Sequence, residues 1–290
     1  MSIALPRLAS TVVLIRPSAR GLEVFLVRRR DSIAFMGGAH VFPGGRVDEG
    51  DYSADAESWC DGSAEAASRI VDRDPRESLA FYVAAVRELF EEAGVLLARD
   101  TSGDITAIPA ASRGRFDGYR REVTAGTLTV REIVSRERLR LALDQLVVFA
   151  HWVTPEIEAR RFDTHFFLAL APPGQDAAHD DGETSDGIWI EPHAATERSL
   201  NGDIALPPPT WTTLRALTRC RDVNEAWQWA RTQRLPRIQP RVIEHPDGTR
   251  EILLPGDRDY PAVSGFHPRE TRFLLKDGRW KPVKMGSEVI

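Results

Sequence analysis

Three glutamates at helical spacing are the residues of this sequence best suited to chemistry. Glu88, Glu91 and Glu92 stand at positions i, i+3 and i+4 of the segment R-E-L-F-E-E-A-G-V, so a helix would project all three carboxylates from one face. Like charges at these spacings repel each other. A hard divalent cation reverses that repulsion because it prefers carboxylate and water oxygens. The pattern therefore predicts either a site for such a cation or a solvated acidic helix face.

The residues around this segment favour the metal site. The stretch F-P-G-G at 42–45 indicates a loop that turns sharply or closely approaches another group, and Gly94 is a natural helix terminator. Together these residues resemble the Nudix box, G-x5-E-x7-R-E-U-x-E-E-x-G-U, in which U is aliphatic. The second half of the box is matched by Arg87, Glu88, Leu89, Glu91, Glu92, Gly94 and Val95, and the first half by Gly45 and, with Asp for Glu, by Asp51.

The match departs from the box in its spacing. Asp51 stands 36 positions before Arg87 instead of eight, so about 28 residues are inserted, and the role of the first acid is open between Asp51, Glu77 and no residue at all. An interruption at this point resembles the Nudix 19-type hydrolases, a subgroup that cleaves coenzyme A and its esters. The stretches H-V-F-P-G-G at 40–45, R-F-D-T-x-F-F at 161–167 and L-P-G-D-x-x-Y-P at 254–261 are also similar to that subgroup.

The resemblance implies a metal-dependent diphosphatase and a set of roles. Glu88, Glu91 and Glu92 are expected to bind Mg²⁺ or Mn²⁺, which would neutralise a diphosphate and acidify water. Arg87 would brace a carboxylate or the preceding loop. A further loop acid is expected as a metal ligand and catalytic residue, and Glu183 fits because it lies six residues before a Trp; Glu88 and Glu183 are equal candidates for the general base. The competing loop acids are Asp180, Asp181, Asp186, Glu156 and Glu158.

Substrate-binding residues are expected around the glycine loop. Alternation along a strand would send Arg28 and Arg30 to one face and Arg29 to the other. We expect one arginine of the cluster Arg28 to Arg30, with Arg28 and Arg30 foremost, or else Arg46, to reach a substrate phosphate. A solvated or salt-bridged arginine is the alternative for each. His40 is expected either to touch substrate or to pack within the loop. The small residues Gly44 and Gly45 let the loop backbone approach the catalytic helix and the substrate.

The implied substrate is a small-molecule nucleoside diphosphate derivative, with coenzyme A or acyl-coenzyme A as the first candidate. The alternatives are ADP-ribose, NADH, nucleotide sugars and dinucleoside polyphosphates. A non-catalytic Nudix domain that senses a nucleotide is a further alternative. Such domains commonly lose carboxylates of the box, whereas this sequence keeps Glu88, Glu91 and Glu92.

The elements that must position these residues follow from apolar periodicity and from helix caps. Runs at 11–16 and 23–27 predict strands, and Asp74, Pro75 and Glu77 predict a capped helix that ends at Gly94. The remaining predictions are a helix at 129–143, strands at 146–153 and 163–171, a loop at 172–187, helices from about 210 and 222, and a hairpin across 241–254. We expect the α/β class: a Nudix α/β/α sandwich around a mixed β-sheet. Residues 1–290 would form a single enlarged domain, with an insertion at about 52–74 and C-terminal helical and hairpin additions at about 207–290.

Composition bounds the partners. A net charge of -5 argues against nucleic acid, so phosphates must be met by local arginines or by a metal. No run approaches the roughly 18 apolar residues of a membrane helix, the N-terminus is unlike a secretory signal, and two distant cysteines suit a reducing cytosol. We expect a cytoplasmic hydrolase without nucleic-acid or membrane partners, and a homodimer is left open.

Overall fold

Strands and helices are interspersed along the residues that the computed structural model describes, which are 3–32, 36–180, 182–233, 237–261, 269–276 and 278–283. The strands are β1 Arg7–Ser18, β2 Gly21–Arg29, β3 His40–Val41, β4 Gly44–Arg46, β5 Ala98–Arg99, β6 Arg140–Leu141, β7 Val147–Val153, β8 Phe162–Leu170, β9 Thr184–Ile190, β10 Arg237–Ile238, β11 Arg241–Glu244, β12 Arg250–Leu253, β13 Arg272–Lys276 and β14 Arg279–Pro282. The helices are α1 Ala56–Trp59, α2 Ala64–Val71, α3 Pro75–Ala93, α4 Ala110–Thr124, α5 Val130–Glu137, α6 Pro192–Leu200, α7 Pro208–Leu217 and α8 Val223–Thr232. Short 3-10 turns lie at Glu49–Asp51 and Leu143–Gln145.

A mixed sheet forms the centre of the fold. Its strand order is β10-β7-β8-β1-β2-β3, with β4 also paired to β1 and β9 also paired to β2. β1 runs parallel to β8 and antiparallel to β2. The apolar run of β1 explains this central place, because a strand covered on both faces needs apolar residues at consecutive positions.

Alternate residues of β1 and β2 contribute to two separate cores. Val12, Leu14 and Phe25 pack in one core with α1 to α5, and Val13 and Ile15 pack in the other with α6 to α8. Helices therefore cover both faces of the sheet, which confirms the predicted α/β/α sandwich. Among the described residues, no helix has the length and hydropathy that crossing a membrane requires.

The helix α3 begins and ends where its capping residues predict. The Asp74 carboxylate accepts a hydrogen bond from the backbone N–H of Arg76 at 3.0 Å, and Gly94 ends the helix with φ 69°. Glu77 was predicted to complete a capping box, but its carboxylate instead pairs with Arg73 at 2.8 Å. The insertion is partly helical: it contains α1 and α2, and its residues Trp59 and Val71 join the core beside α3.

Several elements differ from the prediction. The helix predicted at 129–143 stops at Glu137, because Arg138 adopts a left-handed φ of 55°. This helix begins with a capping box formed by Thr129 and Glu132. The segment 172–187 was predicted as a loop, yet β9 begins at Thr184, since pairing with β2 stabilises a strand whose first residues are polar. The helices α4 and α6 were not predicted, and the predicted hairpin of β11 and β12 continues into a four-stranded antiparallel sheet with β13 and β14.

Candidate active site

The last turns of α3 line a cavity of about 740 Å³. Glu88, Glu91 and Glu92 all contribute to its lining, and Glu88 and Glu92 are buried. Their shared position follows from helical spacing, since residues three and four apart lie on one face. Val86, Leu89 and other apolar residues on the remaining faces of α3 anchor it in the core.

The two glycines of β4 allow the strand to lie directly against α3. The backbone N–H of Gly44 donates a hydrogen bond to Oε2 of Glu92 at 2.9 Å. A Cβ atom at Gly44 would lie 2.4 Å from the carbonyl oxygen of Ser10, and one at Gly45 would lie 2.4 Å from Oε1 of Glu88. A side chain at Gly44 would meet the backbone of β1, and one at Gly45 would displace the Glu88 carboxylate, so the two glycines permit close packing of β4 against β1 and α3.

Arg87 organises the carboxylates. Its guanidinium donates to both oxygens of Asp51, at 2.8 and 2.9 Å, to Glu88 and Glu91 at 2.8 Å each, and to the Arg46 carbonyl at 2.7 Å. Asp51 is buried. The question left open by the interrupted box is thereby answered: Asp51 pairs with Arg87 across the insertion, whereas Glu77 pairs with Arg73. Arg87 therefore holds the site together.

The site concentrates several carboxyl groups in a buried place. Burial raises the pKa of Glu88 to about 8, although Arg87 opposes the shift. Burial, reinforced by the nearby Glu88, raises the pKa of Glu92 well above its ordinary value, and burial also raises the pKa of Glu91. Several carboxylate oxygens that repel each other at one end of a cavity fit a hard divalent cation, which favours their ionised form.

The candidate acidic residues of the loops differ in their contacts. Glu183 is exposed and lines the cavity. Asp180 also reaches the lining, but its carboxylate accepts hydrogen bonds from the backbone N–H groups of Glu183 and Thr184 at 3.0 and 2.9 Å, so it shapes the loop. Glu158 lines the cavity while paired with Arg250 at 2.7 Å. Of the other competitors, Glu156 and Asp186 do not contribute to the described lining, and Asp181 lies outside the described residues.

A second cluster of ligand-type side chains lies at the other end of α3. The ligand atoms of His151, Asp163 and His165 lie within 4.8 Å of one another. The two imidazole rings are stacked, 4.1 Å apart and inclined by 17°, so the lone pairs of the two rings lie in separate, nearly parallel planes and are poorly placed to meet at one ion. Asp163 already pairs with His151 at 2.6 Å and with Arg73 at 2.5 Å. We therefore interpret this cluster as a network that fastens the end of the insertion to β8.

The predicted substrate-binding residues divide into two groups. Gly44, Gly45 and Arg46 line the cavity. Arg28, Arg30 and His40 do not belong to its described lining. Arg28 donates instead to Asp31 at 2.8 Å and to Ser185 at 3.1 Å. His40 is cross-strand neighbour to Arg28 and is buried, and burial lowers its pKa to about 4, so this imidazole is neutral near pH 7.

Arg29 takes the place expected for Arg28 and Arg30. It lines the cavity, and it lies close enough to Glu92 to oppose the rise in the pKa of that carboxyl. The Nε atom of Arg29 is buried without a hydrogen-bond partner among the described residues. Phe25 and Val27 pack in the core of α3, and the cavity lies on the side of Arg29 instead of Arg28. The pairing of β2 with β9 shifts register between Arg28 and Arg29.

Much of the remaining lining comes from residues that the sequence did not single out as functional. They belong to the β7–β8 connection, to the start of α7 and to the C-terminal sheet. Among them are Arg160, Pro208, Thr210, Ile252, Leu275 and Trp280.

Comparison with known proteins places this arrangement in a family. The family model for the NUDT19 Nudix domain matches residues 64–217. The human acyl-coenzyme A diphosphatase NUDT19 is 30% identical, over 91% of this chain and 80% of that protein. The chicken (Gallus gallus) protein of the same name is 30% identical, over 82% of this chain and 73% of its own length. A solved NUDIX hydrolase from Alicyclobacillus acidocaldarius aligns with a TM-score of 0.65 and 28% identity, over 78% of this chain and 97% of that one.

These matches agree with the geometry of the site. Arg87 and the three box glutamates lie on α3, which packs against the mixed sheet beside β4, and the family model includes all of α3. The chain therefore belongs to the NUDT19 Nudix domain family and is a Nudix hydrolase of the NUDT19 type.

Proposed function

We propose that this enzyme cleaves the diphosphate of coenzyme A or of an acyl-coenzyme A, with Mg²⁺ or Mn²⁺ held by Glu88, Glu91, Glu92 and Glu183. The observation that carries the proposal is that all four carboxylates line one cavity. Support for the substrate comes from the relatives that are named acyl-coenzyme A diphosphatases. Water would add to one phosphorus as the P–O–P bond breaks, giving 3′,5′-ADP and phosphopantetheine or its acyl thioester.

The protein contributes position and charge to this reaction. When bound, a divalent cation supplies positive charge that offsets the phosphates and acidifies water. Arg87 fixes the orientation of Glu88 and Glu91, and the Gly44 N–H fixes Glu92. Glu88 and Glu183 both line the cavity and are the two candidates to accept the proton of the attacking water.

The substrate is tested by comparing kcat/KM for coenzyme A, dephospho-coenzyme A, ADP-ribose and NADH with Mg²⁺ and with Mn²⁺, the products being identified by mass. We expect coenzyme A to be the best of the four, with cleavage at the diphosphate. If it is the poorest, the coenzyme A proposal is wrong and another nucleoside diphosphate derivative takes its place. Stoichiometric binding of these compounds without turnover would favour the non-catalytic sensing domain instead.

We propose that Arg29 binds a phosphate of the substrate. We expect Arg29→Ala to lower kcat/KM by about tenfold or more, because a hydrogen bond to a charged group contributes about 1.5–3 kcal/mol. Arg28→Ala removes an identical side chain from the neighbouring position, outside the described cavity lining, and we expect less than about a twofold change. The two variants are compared under saturating metal, and a larger loss for Arg28→Ala would assign the phosphate contact to Arg28 instead of Arg29.

We retain three further expectations as proposals. Residues 1–290 act as one enlarged domain, which the packing of Leu254 and Phe273 into the core of α7 supports. The enzyme acts on a small molecule in the cytoplasm without nucleic-acid or membrane partners. The net charge of -5 supports the absence of a nucleic-acid partner. Light scattering tests whether the enzyme forms a homodimer.

A further inference from the structure

One face of the C-terminal sheet is turned toward the catalytic cavity. Arg250, Leu275 and Trp280 are directly opposite one another on β12, β13 and β14, and Ile252 is opposite Phe273 in the adjacent row. Directly opposed residues share a face of an antiparallel sheet, and so do residues two apart on one strand. All five side chains therefore lie on the same face, and four of them, all except Phe273, line the cavity.

This face is fixed to the rest of the molecule at one end and partly exposed at the other. Phe273 is 1% exposed and belongs to the core that contains α7 and α8. Ile252 and Trp280 pack against that core while remaining partly buried. Leu275 is also partly buried. The cavity therefore has an apolar wall with surface still available to a ligand.

The positive charge of Arg250, on this face, is already paired with carboxylates. Arg250 pairs with Glu158 at 2.7 Å, and its Nε lies 3.3 Å from Glu244. Its guanidinium already has two carboxylate partners, so it is less suited to a phosphate than Arg29, for which the described residues provide no ion pair. A ligand that spans this cavity would meet carboxylates and Arg29 on one side and apolar side chains on the other.

We propose that Ile252, Leu275 and Trp280 form the subsite for the apolar arm of the substrate, the acyl chain of an acyl-coenzyme A. This rests on the proposed function and deepens it, because free coenzyme A has no acyl chain to cover this wall. The cavity is continuous from the carboxylates of α3 to these three residues, so one substrate can occupy both regions. The C-terminal sheet then selects acyl substrates over the free thiol.

Acyl-chain length provides the test. We expect kcat/KM of the unmodified enzyme to rise from coenzyme A through acetyl-, butyryl-, hexanoyl- and octanoyl-coenzyme A, by up to about fourfold for each buried methylene. Trp280→Ala should lower kcat/KM for octanoyl-coenzyme A by about tenfold and Leu275→Ala by about threefold, since each removes apolar contact area, with a smaller loss for free coenzyme A.

Leu274 supplies the matched control. It neighbours Leu275 on β13 but lies on the opposite face, opposite Glu251 and Lys281, and is not part of the described lining. Leu274→Ala should leave the dependence on chain length as it is in the unmodified enzyme. Urea denaturation of all three variants separates loss of fold from loss of the subsite.

The outcomes are distinct. A dependence on chain length that weakens in Leu275→Ala and not in Leu274→Ala supports the subsite. Hydrolysis of coenzyme A with no dependence on chain length, or with equal changes in the two leucine variants, overturns the subsite and leaves the proposed function in place. Absence of hydrolysis for every coenzyme A compound overturns both.

Discussion

Replacing Glu91 or Glu92 by Gln is expected to abolish turnover while leaving the protein folded. Each change keeps the size of the side chain but removes a negative charge that we assign to metal binding. The loss in kcat should exceed roughly tenfold, or about 1.4 kcal/mol of activation free energy. Glu92→Gln keeps a side-chain oxygen that can accept the hydrogen bond from Gly44, so its effect should be on activity far more than on folding.

The measurement is kcat at saturating Mg²⁺, with far-UV circular dichroism and urea denaturation of each variant. Glu77→Gln is the control, since Glu77 lies on the same helix, is half-buried and contributes nothing to the described cavity lining. We expect it to retain activity within about twofold. Near-normal turnover of Glu91→Gln or Glu92→Gln would remove these residues from the metal site.

Asp51→Ala is expected to have the largest effect on stability. It leaves the partly buried guanidinium of Arg87 without its bidentate partner, and breaking a buried ion pair costs up to about 3–5 kcal/mol, an upper bound here because Glu88 and Glu91 still pair with Arg87. Arg87 also holds Glu88 and Glu91, so we expect kcat to fall by more than about tenfold even where the protein remains folded.

Glu77→Ala tests the alternative that the interrupted box left open. Its ion pair with Arg73 is partly exposed on both sides, so we expect a loss below about 1 kcal/mol in the free energy of unfolding and little loss of activity. Both variants are compared by urea denaturation. Equal destabilisation of the two would show that Asp51 has no special role in bridging the insertion.

The catalytic helix could be predicted from the sequence because its determinants are local. Asp74, Pro75 and Gly94 mark its ends, and the spacing of its glutamates decides which side chains share a face. The assignment of Glu77 to a capping box was wrong because Arg73, four residues earlier and also paired with Asp163 of β8, holds its carboxylate. The spacing of Arg73 and Glu77 allows this ion pair, but the local pattern does not decide between the ion pair and the capping box.

The walls of the cavity could not be predicted in the same way. Both faces of β2 are buried through Val27, so alternation separates Arg28 from Arg29 but does not say which of them faces α3. Asp51 was a candidate by motif alone, and its contact with Arg87 depends on how the insertion folds. The role of Leu275 depends on the cross-strand register of β12, β13 and β14, and β13 and β14 had no recognised signal in the sequence.

The bridge between Asp51 and Arg87 also bears on how this family can change over time. Closing a chain segment costs entropy that grows only with the logarithm of its length, so doubling the segment adds about 0.6 kcal/mol. The residues between Asp51 and Arg73 also bury Trp59 and Val71, which offsets the cost of ordering them. The ion pair holds Asp51 beside Arg87. Additions or deletions between Asp51 and Arg73 therefore need not move the carboxylates of α3. This stretch is therefore where descendants of such an enzyme can gain or lose chain length while conserving the reaction.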